Sequence, residues 1–324
     1  MPAALGEGCG TRALFSGGRA AFCRNAPAYE GEGGSMQEEH DVKGTDRRGF
    51  LKLLATGAAA AAAVAPTVVM AAPEPKILQV WSCGGLAEAM CPAHAAFRAA
   101  SGVTVNYTGA FAGALGKTLL GGGSTTEVFA GRVLALAKNL RKNEKMLYFK
   151  PLCFTTYGIA VPKGNPAGIK ELADLTKKNV RVSMAPLASP PGGQAVMGIL
   201  KNAGILKEVM PHVLDARASC VQRSMQDVLD GRADAIIVER RVVRIPRFAP
   251  HVDFIDIPEQ YFPAGPLTFT VGVMQAAQDK ALAESYVKWI TSADGQAFFE
   301  KAGFIPAISA KGQELVEKLG VKDA

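Results

Sequence analysis

The chain has 324 residues, of which 48% are hydrophobic and 20% are charged. This balance excludes a disordered chain, a collagen and a small disulfide-built scaffold, and the length suits one large domain or two ordinary ones. The formal net charge is +7, from 36 basic and 29 acidic residues, and the chain contains six cysteines.

The N-terminal part of the chain is typical of a targeting segment. The paired arginines Arg47 and Arg48 precede an alanine-rich stretch, 51–72, which carries one charge and ends in small residues. This pattern predicts a twin-arginine signal peptide over 36–72, cleaved on export. An uncleaved membrane anchor is the alternative, although alanine is weakly hydrophobic and Pro66 interrupts the stretch.

Residues 1–35 precede this signal, whereas export signals normally begin near the true N-terminus. We therefore predict that Met36 is the true start and that 1–35 is an over-extended N-terminus. Residues 1–72 contain seven basic and seven acidic side chains, so the whole net charge of +7 belongs to the mature chain.

From residue 76 onwards, strand-like and helix-like segments alternate. Short apolar runs predict strands, and apolar residues at helical spacing predict helices. The predicted strands are 77–81, 103–107, 128–130, 154–161, 180–184, 235–238 and 268–274. The predicted helices and helical turns are 86–100, 115–120, 169–175, 194–203, 221–229, 280–291 and 295–302. This alternation predicts an α/β fold with mostly parallel sheets.

Several of these segments follow one another in a specific order between Lys76 and about Pro306. They are 78–81 with 86–90, 99–105, 127–129, 159–166, 227–235 and 292–304. Together they resemble periplasmic solute-binding proteins of the type II fold, and most of all the molybdate- and tungstate-binding family. The resemblance implies a two-lobed α/β fold with two hinge crossovers and a ligand cleft between the lobes. Lobe 1 would comprise 76–161 and 264–324, and lobe 2 would comprise 162–263.

The resemblance also implies a function. The protein would capture a small oxyanion and deliver it to the membrane permease of an ABC importer, with no enzymatic activity of its own. We expect a periplasmic monomer, exported by the twin-arginine translocase, which needs no cofactor and whose cleft holds an oxyanion or a soft metal. The basic run 240–247 has no interleaved aromatic residues, so it does not indicate a nucleic-acid site.

The family holds its oxyanion with serine hydroxyls from the first lobe and backbone amides from the second. Carried over to this chain, the positions fall on Ser82, Cys83, Gly84 and Gly85; Phe111, Ala112 and Gly113; Pro191, Gly192 and Gly193; Cys220 and Val221; and Glu239, Arg240 and Arg241. The first ligand serine is replaced by Gly85, and the second loop has no hydroxyl. Glu239 stands where the family commonly has tyrosine. Backbone donors can survive these changes, because glycine permits a close approach, but the hydroxyl donors are missing.

Two features can replace those hydroxyls. Arg240 and Arg241 have forked guanidinium groups that match oxyanions; alternatively, they are solvated or pair with Glu239. Cys83 and Cys220 fall on predicted cleft loops, one from each lobe. They are buried thiols, a disulfide, or part of a soft-metal or reactive-thiol site.

The cleft cysteines leave two other functions open. One is a thiol- or metal-centred ligand binder, and the other is an enzyme with a nucleophilic cysteine, for which His94 or His212 would be the base. Cys91 and His94 are spaced i, i+3 on a predicted helix, which suits either a metal or ordinary packing. Cys153 precedes an apolar strand and is predicted to lie in the core.

Overall fold

The computed structural model describes residues 76–323. The over-extension predicted over 1–35 and the signal peptide predicted over 36–72 lie outside the described residues. Within the described range, no helix is both long enough and apolar enough to cross a bilayer.

Ten strands and ten α-helices alternate along the described part of the chain. The strands are β1 (Ile77–Cys83), β2 (Thr104–Ala110), β3 (Val128–Arg132), β4 (Met146–Phe154), β5 (Tyr157–Pro162), β6 (Val182–Ser183), β7 (Ala235–Glu239), β8 (Val252–Asp256), β9 (Thr268–Met274) and β10 (Ile305–Pro306). The helices are α1 (Ala87–Ser101), α2 (Ala112–Gly121), α3 (Leu134–Lys142), α4 (Gly192–Asn202), α5 (Leu206–Val209), α6 (Val221–Leu229), α7 (Arg240–Val243), α8 (Lys280–Ile290), α9 (Ala293–Lys301) and α10 (Ala310–Lys318). The α/β class is therefore confirmed.

The strands form two sheets. A six-stranded sheet has the order β10-β4-β9-β3-β1-β2, and a four-stranded sheet has the order β6-β7-β5-β8. β1 runs parallel to β2 and β3, and β6 runs parallel to β7. The other ladders among the described strands are antiparallel. The prediction of mostly parallel sheets was thus wrong. The strands next to the segments that connect the two sheets, β4, β5 and β9, run antiparallel to their neighbours.

The single strand predicted over 154–161 is two strands that belong to different sheets. β4 ends at Phe154 in the six-stranded sheet, and β5 begins at Tyr157 in the four-stranded sheet. The two threonines between them do not interrupt the apolar pattern, so the break could not be predicted from that pattern. The lobe boundaries stay a proposal, and we now place the first crossover at 155–156 and the second at 257–267.

The two crossovers are bonded to each other. The amide of Thr155 donates a 2.9 Å hydrogen bond to the carbonyl oxygen of Leu267. Pro266 and Leu267 belong to a 3₁₀-helical turn, Gly265–Leu267, which leads directly into β9. The two connecting segments therefore form one joint beside the ends of β3 and β7.

A buried histidine lies in the core of the six-stranded sheet. The Nε2 atom of His94, on α1, lies 2.7 Å from the hydroxyl of Tyr286 on α8, and its ring packs edge-on against Tyr107. Burial lowers the pKa of His94 to about 3. Of the two alternatives for Cys91 and His94, packing fits the contacts of His94, whereas Cys91 is disulfide-bonded. Within residues 76–323, no group of three or more His, Cys, Asp or Glu side chains is arranged to hold a metal ion.

His94 predicts a pH dependence of stability. The folded protein keeps the imidazole neutral down to about pH 3, whereas the unfolded chain takes up a proton below pH 6.5. Stability is therefore expected to fall by ~2 kcal/mol as the pH falls from about 7 to about 5. Urea unfolding at the two pH values measures this loss. His94→Gln, which can still bond to Tyr286 but does not titrate, should show a smaller loss; an equal loss would contradict the prediction.

Candidate functional site

The predicted cleft loops lie at the carboxyl ends of parallel strands. β1 and β2 are paired in register, with Cys83 opposite Ala110, so the turn after β1 lies beside the start of α2. β3 ends at Arg132, and β7, in the other sheet, ends at Glu239. Ligands of α/β proteins commonly bind at such strand ends.

A buried carboxylate joins two arginines at this place. The Nη2 atom of Arg132 lies 2.5 Å from Oε1 of Glu239, and the Nε atom of Arg241 lies 2.5 Å from Oε2. The side chains of Arg132 and Glu239 are only 5% and 6% exposed, and that of Arg241 is 16% exposed. Each carboxylate oxygen therefore bonds to a different guanidinium group, in nearly dry surroundings.

Further contacts hold Arg132 and Glu239 in place. Tyr157, opposite Glu239 in the β5–β7 ladder, accepts a 2.9 Å bond from Arg132 and donates a 3.2 Å bond to Glu239. The Nε atom of Arg132 donates to the carbonyl oxygen of Pro266 at 2.9 Å, and its guanidinium lies over the ring of Phe269. Arg132 thus contacts the second crossover through Pro266 and the four-stranded sheet through Tyr157 and Glu239.

Opposing effects set the protonation of this cluster. Burial by itself raises the pKa of Glu239, but the charges of Arg132 and Arg241 lower it to about 2. Burial lowers the pKa of Arg132, but Glu239, together with Tyr157 and Cys83, outweighs that effect and raises it. Burial, with the Glu239 charge adding to it, raises the pKa of Tyr157, so its hydroxyl stays protonated. Glu239 is therefore a carboxylate throughout the physiological pH range.

Arg241 also reaches α1, a helix that packs against the six-stranded sheet. Its Nη1 atom lies 3.4 Å from Oε1 of Glu88 on α1. A Cβ atom on Gly85 would lie only 3.2 Å from Nη2 of Arg241, so the arginine covers the position where the related family has a ligand serine. The structure thus brings together Gly85, Glu239 and Arg241 from the predicted set.

Two predicted site residues point elsewhere. The hydroxyl of Ser82 lies 2.6 Å from that of Tyr107 and faces the core of its own sheet. Arg240 forms an ion pair with Asp256 on the edge strand β8 and stacks over the ring of Phe254. The contacts of Arg240 therefore do not support a ligand role, whereas the predicted alternative of pairing with Glu239 holds for Arg241.

The structure distinguishes the alternatives for the cysteines. Cys83 is a free, buried thiol, and burial raises its pKa despite the nearby charge of Arg132. Cys220 is disulfide-bonded, so a Cys83–Cys220 disulfide is excluded. Cys153 is free and fully buried, as predicted for a core residue.

The remaining predicted residues begin three helices. α2, α4 and α6 follow Phe111, Pro191 and Cys220, and none of these side chains caps its helix. By contrast, Asp279 and Ser309 cap α8 and α10 with side-chain hydrogen bonds. The first residues of the uncapped helices are Ala112 and Gly113, Gly192 and Gly193, and Val221. The first amides of a helix have no partner within that helix, which is the usual property of an anion-binding helix end, although the amide of Gly192 donates to the carbonyl oxygen of Ser189 at 3.0 Å.

Sequence reasoning missed three members of the cluster, Glu88, Arg132 and Tyr157. The one available signal in the sequence is Arg132, which follows closely on the apolar run that predicts a buried strand over 128–130. A buried arginine needs a partner, so this position marks a buried ion pair.

Comparison with known proteins identifies the family of the chain. The family model for bacterial extracellular solute-binding proteins matches residues 78–305. The molybdate-binding protein ModA of Mycobacterium tuberculosis is 30% identical over 207 residues, which are 63% of this chain and 74% of that relative.

Solved structures show the same fold. The periplasmic molybdate-binding protein of Azotobacter vinelandii matches with a TM-score of 0.57 at 16% identity, over 70% of this chain and 98% of that one. The sulfate-binding protein SubI of Mycobacterium tuberculosis matches with a TM-score of 0.55 at 15% identity, over 75% and 91% of the two chains. The predicted two-lobed type II periplasmic binding protein fold is confirmed, and the chain belongs to the family of bacterial extracellular solute-binding proteins.

Proposed function

We propose that the mature protein captures a small oxyanion between its two lobes and delivers it to the membrane permease of an ABC importer. The relatives named above bind molybdate or sulfate, which are both tetrahedral dianions. We also propose that the protein is exported to the periplasm by the twin-arginine pathway and acts there as a monomer.

One observation carries the oxyanion proposal. The base of the cleft already binds an anionic group, the Glu239 carboxylate, with one guanidinium on each oxygen and the Tyr157 hydroxyl as a further donor. Guanidinium forks suit the oxygens of an oxyanion as well as those of a carboxylate. The two arginines thus supply the donors that the missing serine hydroxyls provide in related proteins.

We propose that the protein acts without catalysis. The raised pKa of the Cys83 thiol disfavours the thiolate that a nucleophilic mechanism would need. His94 bonds to Tyr286 in the core, so it is not placed as a base for a cleft cysteine. No observation favours the thiol- or metal-centred alternative.

Calorimetry tests the proposal. The purified mature protein, freed of bound anions by partial unfolding and refolding, is titrated with molybdate, tungstate, sulfate and phosphate at constant ionic strength. We expect saturable one-site binding of at least one of the four. The absence of binding by all of them, in protein shown by circular dichroism to be refolded, would contradict the proposal.

A further inference from the structure

The charges of the cleft cluster cancel. Arg132 and Arg241 contribute two positive charges, and Glu239 and Glu88 contribute two negative ones. Both guanidinium groups are already engaged, one on each oxygen of Glu239. An oxyanion that enters this arrangement unchanged meets neither a net positive charge nor a free guanidinium fork.

We infer that Glu239 is a tethered competitor, whose carboxylate occupies the anion site of the ligand-free protein and leaves it when an oxyanion binds. The inference rests on the proposed function, and it assigns Arg132 and Arg241 as the residues that then hold the oxyanion. With the carboxylate displaced, these two arginines and Glu88 leave one net positive charge at the site.

The geometry supports a displaceable occupant. Glu239 is the last residue of β7 and immediately precedes α7, with extended backbone angles. Its side chain can therefore turn without breaking the strand ladder. Arg132, by contrast, is held by Pro266, by Tyr157 and over Phe269, so it stays in place when its carboxylate partner leaves. A fixed cation beside a movable anion is the arrangement that exchange requires.

The alternative is that Glu239 stays in place and supports the ligand. A carboxylate that remains between the two arginines would lie beside the bound oxyanion, and like charges repel strongly in a dry site. The two possibilities therefore predict opposite signs for the effect of removing the charge of Glu239.

The first test is the affinity of Glu239→Gln for tungstate, measured by calorimetry beside the wild type at the same ionic strength. A competitor predicts tighter binding, by at least about tenfold, because the ligand no longer displaces an ion-paired carboxylate. Asp256→Asn removes the charge that pairs with Arg240 next to this cluster, and it should bind tungstate as the wild type does. Unchanged or weaker binding in Glu239→Gln would overturn the inference.

The second test uses Glu239→Ala and remains informative if this variant folds poorly. Glu239→Ala leaves a carboxylate-sized space beside the two arginines, so formate should raise its thermal midpoint, whereas the neutral analogue formamide should not. If Glu239→Ala is unfolded in anion-free buffer, formate or tungstate should restore its circular dichroism spectrum. An Ala variant that responds to neither anion would overturn the inference.

The outcomes separate the two proposals. If the wild type binds tungstate but Glu239→Gln binds it no more tightly, the competitor role fails and the oxyanion function stands. If neither protein binds molybdate, tungstate, sulfate or phosphate, the oxyanion function itself fails, and the competitor role fails with it.

Discussion

Replacement of Glu239 by alanine is expected to lower the free energy of unfolding of the anion-free protein by about 3–5 kcal/mol. The reason is not the loss of an attraction alone. Arg132 is 4% exposed and keeps its charge, so the variant leaves a buried cation without its counterion. Urea unfolding followed by circular dichroism, in a buffer with a bulky organic anion, measures the difference.

An ion pair next to the cluster provides the control. Arg240 and Asp256 also pair, but the Asp256 side chain is 70% exposed, so Asp256→Ala should cost less than about 1 kcal/mol. Similar losses in the two variants would contradict the assignment of a dry, structurally important pair to Glu239.

The pH dependence of stability is a second test of the contribution of Glu239. Because the pKa of Glu239 is lowered from 4.5 to about 2, its contribution to stability is fully present above pH 4.5. The contribution is lost as the pH falls towards 2. The difference between the wild type and Glu239→Ala should therefore shrink over this range and stay constant above it.

Replacement of Gly193 by alanine should destabilise the protein by about 1–3 kcal/mol. A Cβ atom there would lie 2.2 Å from the carbonyl oxygen of Pro186 and 2.9 Å from that of Ala185. Both contacts are with backbone, which cannot rotate away as a side chain can. The start of α4 must therefore shift, and we also expect weaker oxyanion binding because the amides at this helix start move with it.

Gly192 is the matched control, one residue earlier in the same helix. A Cβ atom on Gly192 would meet no atom within 4 Å. Gly192→Ala should therefore be neutral or stabilise the protein by up to about 1 kcal/mol, since alanine loses less backbone entropy on folding. Equal urea midpoints for the two variants would contradict the predicted clash at position 193.

Much of the fold could be predicted because several segments have an unambiguous period and clear ends. The predicted bounds of α6 and β9 match the structure residue for residue. The edge strand β8 was missed because it is half-exposed and has acidic residues at its second and last positions. Strand direction was also missed, since side-chain alternation is the same in parallel and antiparallel ladders.

The candidate site was predicted less completely, and for a physical reason. Arg240 and Arg241 are adjacent in sequence, yet successive helical residues point about 100° apart, so only Arg241 turns towards the cleft. Their sequence context did not distinguish them. Arg132 was missed because its partner, Glu239, lies 107 positions later and in the other sheet, and such pairings are set by tertiary structure.

The position of Arg132 couples the binding site directly to the hinge. Its guanidinium bonds to Tyr157, just after the first crossover, and to Pro266, within the second, while Thr155 and Leu267 join the two crossovers. A ligand that changes the partners of this guanidinium would therefore also act on a residue that is bonded to the second crossover. Under the proposed function, we therefore expect the angle between the lobes to depend on which anionic group Arg132 binds.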